Sequence, residues 1–411
     1  MMNEKKKLEL YIHIPFCKQK CSYCDFLSAP ADEDVQKSYV NQLIEEIRMQ
    51  AICYPDYQIT TIFFGGGTPS ILNGQWISNI MGAIYESFAV EADAEITIEC
   101  NPGTLDQEKL GHYRESGINR ISLGLQSADD EELKLLGRIH TYDDFLKSYQ
   151  EVREAGFKNV NVDLISALPN QTTEKWKNTL RKTLMLKPEH ISAYSLIIEE
   201  GTPFFKTYGK FPGSQELPDE ETDREMYAET KEILKEHEYE RYEISNYALP
   251  GFACRHNIGY WTGVEYLGVG LGASSFVMDR RFHSERDLKS YMDIPMHEDL
   301  MPLYQDIQEL TEEERMEEFM YLGLRMTKGV NGSDFMYLFG RNMFNVFSEQ
   351  IRRNISMHLL EEEAPFLRLT DRGIDVSNRV FADFYDVLER KEERKTEEND
   401  RGEKHEGKGR N

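Results

Sequence analysis

The sequence predicts an α/β protein: an open, partial (βα)6 barrel followed by a smaller, winged-helix-like helical domain. Three observations carry this. Short β-rich runs alternate with longer amphipathic runs from the start of the chain to about residue 245, the pattern of parallel strands joined by crossover helices. Six such units are present, too few to close an eight-strand barrel. Beyond Tyr247 the alternation stops, and Met- and Glu-rich helical patterns with one short strand and turn replace it.

In order, the strand candidates are 8–14, 59–64, 95–99, 120–126, 160–164 and 190–196. All are rich in β-branched, aromatic or other apolar residues that suit a pleated, buried surface. Helical periodicity marks 34–49, 104–116, 142–155 and 173–186 between them. Thr104 with Gln107 reads as a capping box, and Gly117 and Gly156 read as helix stops. Residues 1–245 are thus assigned to the barrel. The segment 246–304, with Gly268, Gly270 and Gly272, is expected to connect the domains and complete the site. A C-terminal domain is expected over 305–388, with a helix across 311–327, a strand at 366–370 and a turn at 371–373. Beyond Leu388 no aliphatic or aromatic residue remains, so 389–411 is expected to be a disordered, charged tail.

Composition narrows the function. Lys and Arg total 48 against 73 Asp and Glu, a net charge of −25. Such a surface repels nucleic-acid phosphates, which need clustered cations, so no nucleic-acid partner is expected. No apolar run is long enough to span a bilayer, and the lysines of the first residues lead into no signal-peptide core. That leaves peripheral contact as the only membrane association to expect. With six cysteines in 411 residues there is no disulfide framework, and the expected location is the reducing cytoplasm.

Three of those cysteines, Cys17, Cys21 and Cys24, fall within eight positions as C-x3-C-x2-C. Three thiolates on one tight loop can hold three corners of a cubane cluster, where a ferredoxin cluster takes four. The missing fourth ligand leaves one iron open, the logic of an open catalytic zinc position. Zinc is the alternative metal, and it fits less well because the loop offers no histidine.

The flanks of this loop resemble the radical S-adenosylmethionine superfamily. The likeness rests on Tyr11-Ile-His-Ile-Pro-Phe16 before Cys17, on Tyr23 before Cys24, and on Gly65-Gly-Gly-Thr68-Pro69 directly after an apolar strand. Glycines there let backbone approach a ligand that a side chain would block. Within the superfamily, YIHIPFC, GGGTPS, ECNPGT, GLQS, GRIH, VDLISALP and RHNIGYW resemble the oxygen-independent coproporphyrinogen III oxidase family over about residues 8–385. The oxidases carry a fourth cysteine two positions after the third, where this chain has Phe26. That departure, with the short stretch before Tyr11, resembles the sister group of heme chaperones.

The resemblance implies a [4Fe–4S] cluster on Cys17, Cys21 and Cys24, with S-adenosylmethionine held by Tyr11, Tyr23, Gly66, Gly67, Thr68, Glu99, Gln126, Arg138 and Asp163, and by Ile197 and Ser274 toward the adenine. Several of these lie at carboxyl ends of strands, where barrel enzymes bind ligands. It also implies heme at His256, Asn257, Tyr260 and Trp261. A histidine beside aromatics suits a heme iron, and equally suits a packed, hydrogen-bonded core position. Cys254 is a lesser candidate for attachment. The function implied is a heme chaperone that hands heme to an acceptor protein the sequence does not identify. The alternative is radical decarboxylation of porphyrinogen propionates. The sequence identifies no catalytic residue.

Overall fold

A computed structural model describes residues 5–209 and 216–388; the tail expected over 389–411 lies outside them. The described residues divide into two compact units, one of those up to 259 together with 264–308, the other of 260–263 together with those from 309 to 388.

The first unit is built on a parallel core of β1 (Lys6–Ile14), β2 (Tyr57–Gly66), β3 (Ala89–Cys100), β4 (Arg120–Gln126), β5 (Val160–Ser166) and β6 (His190–Ser195). All six expected strands are present, in sequential order. Helices Glu33–Cys53, Gly74–Ser87, Gln107–Glu115, Tyr142–Glu154 and Thr173–Leu184 follow the strands. Their apolar faces share one core with the sheet, including Tyr39, Leu43, Ile80, Tyr113, Phe145 and Trp176.

Local chemistry explains the helix ends. The expected capping box at Thr104 is not formed: Asp106 caps the helix by accepting from Lys109 N. Thr104 instead donates to Asn101 O at 2.6 Å and meets the Ser70 hydroxyl at 2.7 Å, so its oxygen is already engaged. Gly117 and Gly156 do stop their helices, both at positive φ, where a side chain would be strained.

The segment 246–304 extends this sheet. Strand β7 (Glu240–Arg241) precedes β8 (Asn246–Ala248), which runs antiparallel to β6. At the other side, β9 (Tyr266–Val269) lies parallel to β1, and β10 (Ser274–Val277), β11 (Arg280–Ser284) and β12 (Tyr304–Glu309) continue outward. The full order is β12-β11-β10-β9-β1-β2-β3-β4-β5-β6-β8-β7. A short helix, Arg255–Thr262, lies between β8 and β9.

The second unit opens on helix Glu312–Gly323, capped at its N-terminus by a reciprocal Thr311–Glu314 box, and the helix ends before the expected Thr327. Its helices accompany a small sheet of β13 (Val330–Asn331), β14 (Leu360–Glu363) and β15 (Phe366–Leu369), ordered β13-β15-β14. The turn expected at 371–373 is instead the start of helix Asp371–Asp375, because the Thr370 side chain accepts from Gly373 N.

Candidate active site at the barrel mouth

Strand β1 runs into the cysteine loop, which two backbone bonds close: Cys17 N to Ala29 O at 3.2 Å, and Ala29 N to Pro15 O at 3.0 Å. The loop is pinned again where Ser22 N donates to Leu136 O. Cys17 is buried, Cys21 and Cys24 are half-buried, and all three thiols are free. The glycine motif after β2 is stitched to the same loop, with Gly67 N donating to Ile14 O and Thr68 N to Phe16 O, each at 2.8 Å. At Gly67 a Cβ would sit 2.6 Å from Phe16 O, so only glycine lets the two segments approach this closely.

Side chains continue the stitching as an unbroken relay. The Thr68 hydroxyl donates to Cys17 Sγ at 3.6 Å and accepts from Asn101 Nδ2 at 2.9 Å. Asn101 Oδ1 in turn accepts from Arg138 Nη2 at 2.7 Å, while Arg138 Nη1 reaches Cys21 Sγ at 3.6 Å. Two thiols therefore have donors, from Thr68 and from Arg138, which Asn101 ties together, and Gly124 O also anchors the guanidinium at 2.9 Å. Sulfurs that receive donors are disposed for the negative charge of thiolates. Burial pushes Cys24 up to about 11, a cost that coordination to iron removes by deprotonating the thiol outright. Among the described residues no group of three or more His, Cys, Asp or Glu converges on a single metal ion. Donor chemistry, three thiols with one open side, is what fits this loop to an iron–sulfur cluster.

Beside the loop a cavity of about 240 Å³ enters the barrel. Of the expected cofactor contacts, Tyr11, Gly66, Glu99 and Asp163 line it, as does Asn257. The Tyr11 ring stacks on Phe63, centroids 6.3 Å apart, and its hydroxyl meets His13 Nδ1 at 3.1 Å. Glu99 accepts from Gly66 N–H, yet burial and then the neighbouring Asp163 charge raise it to about 8. Asp163 is raised by burial as well, though Ser122 and Asn161 donate to its two oxygens at 2.9 and 2.8 Å. Two buried carboxyls with spare acceptor capacity suit an ammonium and ribose hydroxyls.

The remaining expected contacts are placed differently. Gln126 ends β4 beyond a register shift, with φ of 69°. Tyr23 packs against the cluster of Leu136, Ile165, Leu168 and Phe204. Ile197, past the end of β6, is exposed, and so is Ser274 at the start of β10; neither lines the cavity.

The 255–262 helix meets the sheet through its first turn. His256 is only 1% exposed; its Nδ1 lies 2.7 Å from the Thr61 hydroxyl and its ring stacks on Phe63 at 5.1 Å. Burial and the Arg120 charge press it down to about 3, so it is a neutral imidazole. Glu95 Oε1 accepts from His256 N and from Cys254 Sγ. A Cβ at Gly259 would overlap the buried carboxyl of Glu9. In this structure, then, the expected axial ligand is enclosed by protein, and the Cys254 thiol is fully buried. Tyr260 and Trp261 group with the second unit, where Arg325 sits 4.2 Å from the Trp261 ring.

Sequence reasoning did not single out Asn101, Arg120, Ser122, Asn161 or Ser192. All but Asn101 line the cavity. Their signal was available as polar residues at alternate positions of otherwise apolar strands, Ser122 in one and Asn161 with Asp163 in the next.

Comparison with known proteins agrees with this geometry. Residues 11–183 match the radical SAM superfamily model, and residues 310–376 match the HemN C-terminal domain. The protein called heme chaperone HemW in Lactococcus lactis is 37% identical over 92% of this chain and 98% of its own length. That of Bacillus subtilis is 36% identical over 92% and 99%. Among solved structures, coproporphyrinogen III oxidase HemN of Escherichia coli superposes with a TM-score of 0.78 at 24% identity, covering 93% of this chain and 90% of that one. It shares the fold. No helix among the described residues is long and apolar enough to cross a membrane.

Proposed function

The chain belongs to the HemW family of heme chaperones, on the radical SAM fold, and from that premise we propose that it binds heme and passes it to an acceptor protein. The observation that carries this reading is family likeness along nearly the whole length of relatives so named. Phe26 supports it: the side chain is 60% exposed at the position where the oxidases keep a further cysteine. All six cysteines are free thiols, which agrees with a cytoplasmic setting.

We assign the [4Fe–4S] cluster to Cys17, Cys21 and Cys24, and S-adenosylmethionine to the adjoining cavity. Bound there, the cluster supplies an open iron and the electron for reductive cleavage of S-adenosylmethionine. The protein's part is positioning. Thr68 and Arg138 hold two sulfurs through Asn101, while Glu99 and Asp163 offer acceptors to the ammonium and ribose ends. Tyr11 on Phe63 gives one wall of the cavity a flat aromatic surface.

Heme ligation by His256 would require the 255–262 helix to leave the sheet, so we assign His256 to the fold. The test of the chaperone reading is titration of the anaerobically purified chain with heme, followed by mixing with a heme-free cytochrome. Near-stoichiometric uptake and transfer support it; absence of a Soret band on the protein overturns it.

A further inference from the structure

A second cleft reaches the cysteine loop, and it shares no lining residue with the cavity assigned to S-adenosylmethionine. It opens onto Cys21 and onto the relay of Thr68, Asn101 and Arg138 that holds that sulfur's donor. Lys18, Gln19 and Ile139 form part of its wall. Gln19 Nε2 donates to Gly137 O at 3.3 Å and Ser22 N to Leu136 O at 2.9 Å, binding the loop to the turn after helix Asp130–Leu135. No acid lines the cleft, although acids outnumber cations 73 to 48 in the chain. Lys18 and Lys20 are exposed between the first two cysteines, and Lys134 is exposed on the helix that leads to Gly137. Lys20 Nζ donates to Phe26 O at 2.9 Å, which holds that cation on the loop. The exposed acids Asp25 and Glu131 stand outside the cleft. Among these cations the side chain of Ile139 is 57% exposed, between the half-buried Arg138 and the buried His140.

We propose that the cleft over Cys21 is the docking site of a small acidic flavoprotein that reduces the cluster. The proposal rests on the assignment of the cluster to Cys17, Cys21 and Cys24. Reductive cleavage of S-adenosylmethionine consumes an electron each time, so a donor from solution has to refill the cluster. Electron transfer weakens steeply with distance, and this cleft brings a donor against a cluster ligand without entering the cofactor cavity. Charge complementarity selects the partner, since an island of cations on an acidic chain steers an acidic surface to that one place. Ile139 favours a flavin over an iron–sulfur carrier, because the exposed dimethylbenzene edge of a flavin is flat and apolar. In the step, the anionic flavin hydroquinone gives up one electron and becomes the neutral semiquinone. The oxidised cluster gains that electron, and no proton moves.

The probe is a purified flavodoxin in its hydroquinone form, mixed anaerobically by stopped flow with the cluster-loaded full chain. Bleaching of the cluster absorption should slow as salt is raised. Lys18→Glu combined with Lys134→Glu should slow it about tenfold at low salt. Photoreduced deazariboflavin, a small neutral reductant, should reduce wild type and variant alike. In the wild type, carbodiimide should crosslink acids of the flavodoxin to Lys18, Lys20 or Lys134, which keeps the test independent of how the variant folds. Crosslinks confined to other lysines, a rate indifferent to salt, or equal rates for the wild type and a folded variant would overturn the proposal. Faster reduction by an acidic ferredoxin would overturn the choice of a flavin partner. Iron content, read beforehand, separates these failures from failure of the cluster assignment itself.

Discussion

The imidazole of His256 and the hydroxyl of Thr61 meet at 2.7 Å inside the barrel, joining the 255–262 helix to β2. Phe63, two residues further along that strand, stacks on the same ring. Removing the ring forfeits a buried hydrogen bond and aromatic packing together. His256→Ala should therefore lose about 2–4 kcal/mol of stability. The folded fraction should keep the wild-type Soret position with heme bound. A shifted Soret band in a well-folded variant would return His256 to the role of axial ligand.

Anaerobic reconstitution should give about four irons per chain, with an EPR signal after reduction that changes when S-adenosylmethionine is added. Cys17→Ala, Cys21→Ala and Cys24→Ala should each abolish it, and Cys53→Ala should not. Asn101→Ala keeps every thiol but breaks the relay between Thr68 and Arg138. Loss of such outer-sphere support should weaken cluster retention about 10–100-fold against a chelator. Unaltered retention would show the relay to be incidental.

No porphyrinogen decarboxylation is expected under reducing conditions with S-adenosylmethionine, since Phe26 stands where the oxidases keep a cysteine. Chromatography of the porphyrins after incubation with coproporphyrinogen III checks this. Product above a protein-free control would make the chain an oxidase.

Stability should fall as pH rises across the neutral range, in part through Glu9. Burial, then the Glu95 charge, raises its carboxyl from 4.5 to about 9. Between those values the native chain retains a proton that the unfolded chain has released, so unfolding is favoured progressively as pH rises. Below about 4.5 both states are protonated and the term vanishes. Glu9→Gln removes the term, and at pH 8 it should be more stable than wild type by on the order of a few kcal/mol. Denaturant midpoints at pH 5 and pH 8 measure it, and equal pH slopes for the two proteins would refute it.

Strand periodicity made β1 to β6 legible, because a run such as Ile-Ser-Leu-Gly-Leu has few other destinations in a sheet buried on both faces. The cysteine loop was equally legible, since its chemistry is local. What escaped was long-range. That Asn101 joins Thr68 to Arg138 depends on three loops meeting, which no spacing encodes. His256 carries the same letters whether it faces a porphyrin or Thr61, and only packing separates the two. Thr104 and Asp106 compete for one helix end within three residues, and the winner depends on Ser70, more than thirty residues away in sequence.

The pairing of β1 with β9 has a consequence for biosynthesis. Strand β1, which leads into the cysteine loop, is flanked on one side by β2 and on the other by a strand beginning at Tyr266. On the ribosome its second neighbour does not yet exist while the first 250 residues are being made. At about 5–20 residues per second, Tyr11 waits roughly 13–50 s for Gly268 to be translated. Throughout that interval one hydrogen-bonding edge of the strand is bare, open to chaperones and to misplaced strands alike. Metallation of the nascent loop would have to precede closure of its own foundation or await it, and pulse-labelled ribosome complexes stalled before and after codon 270 would show which.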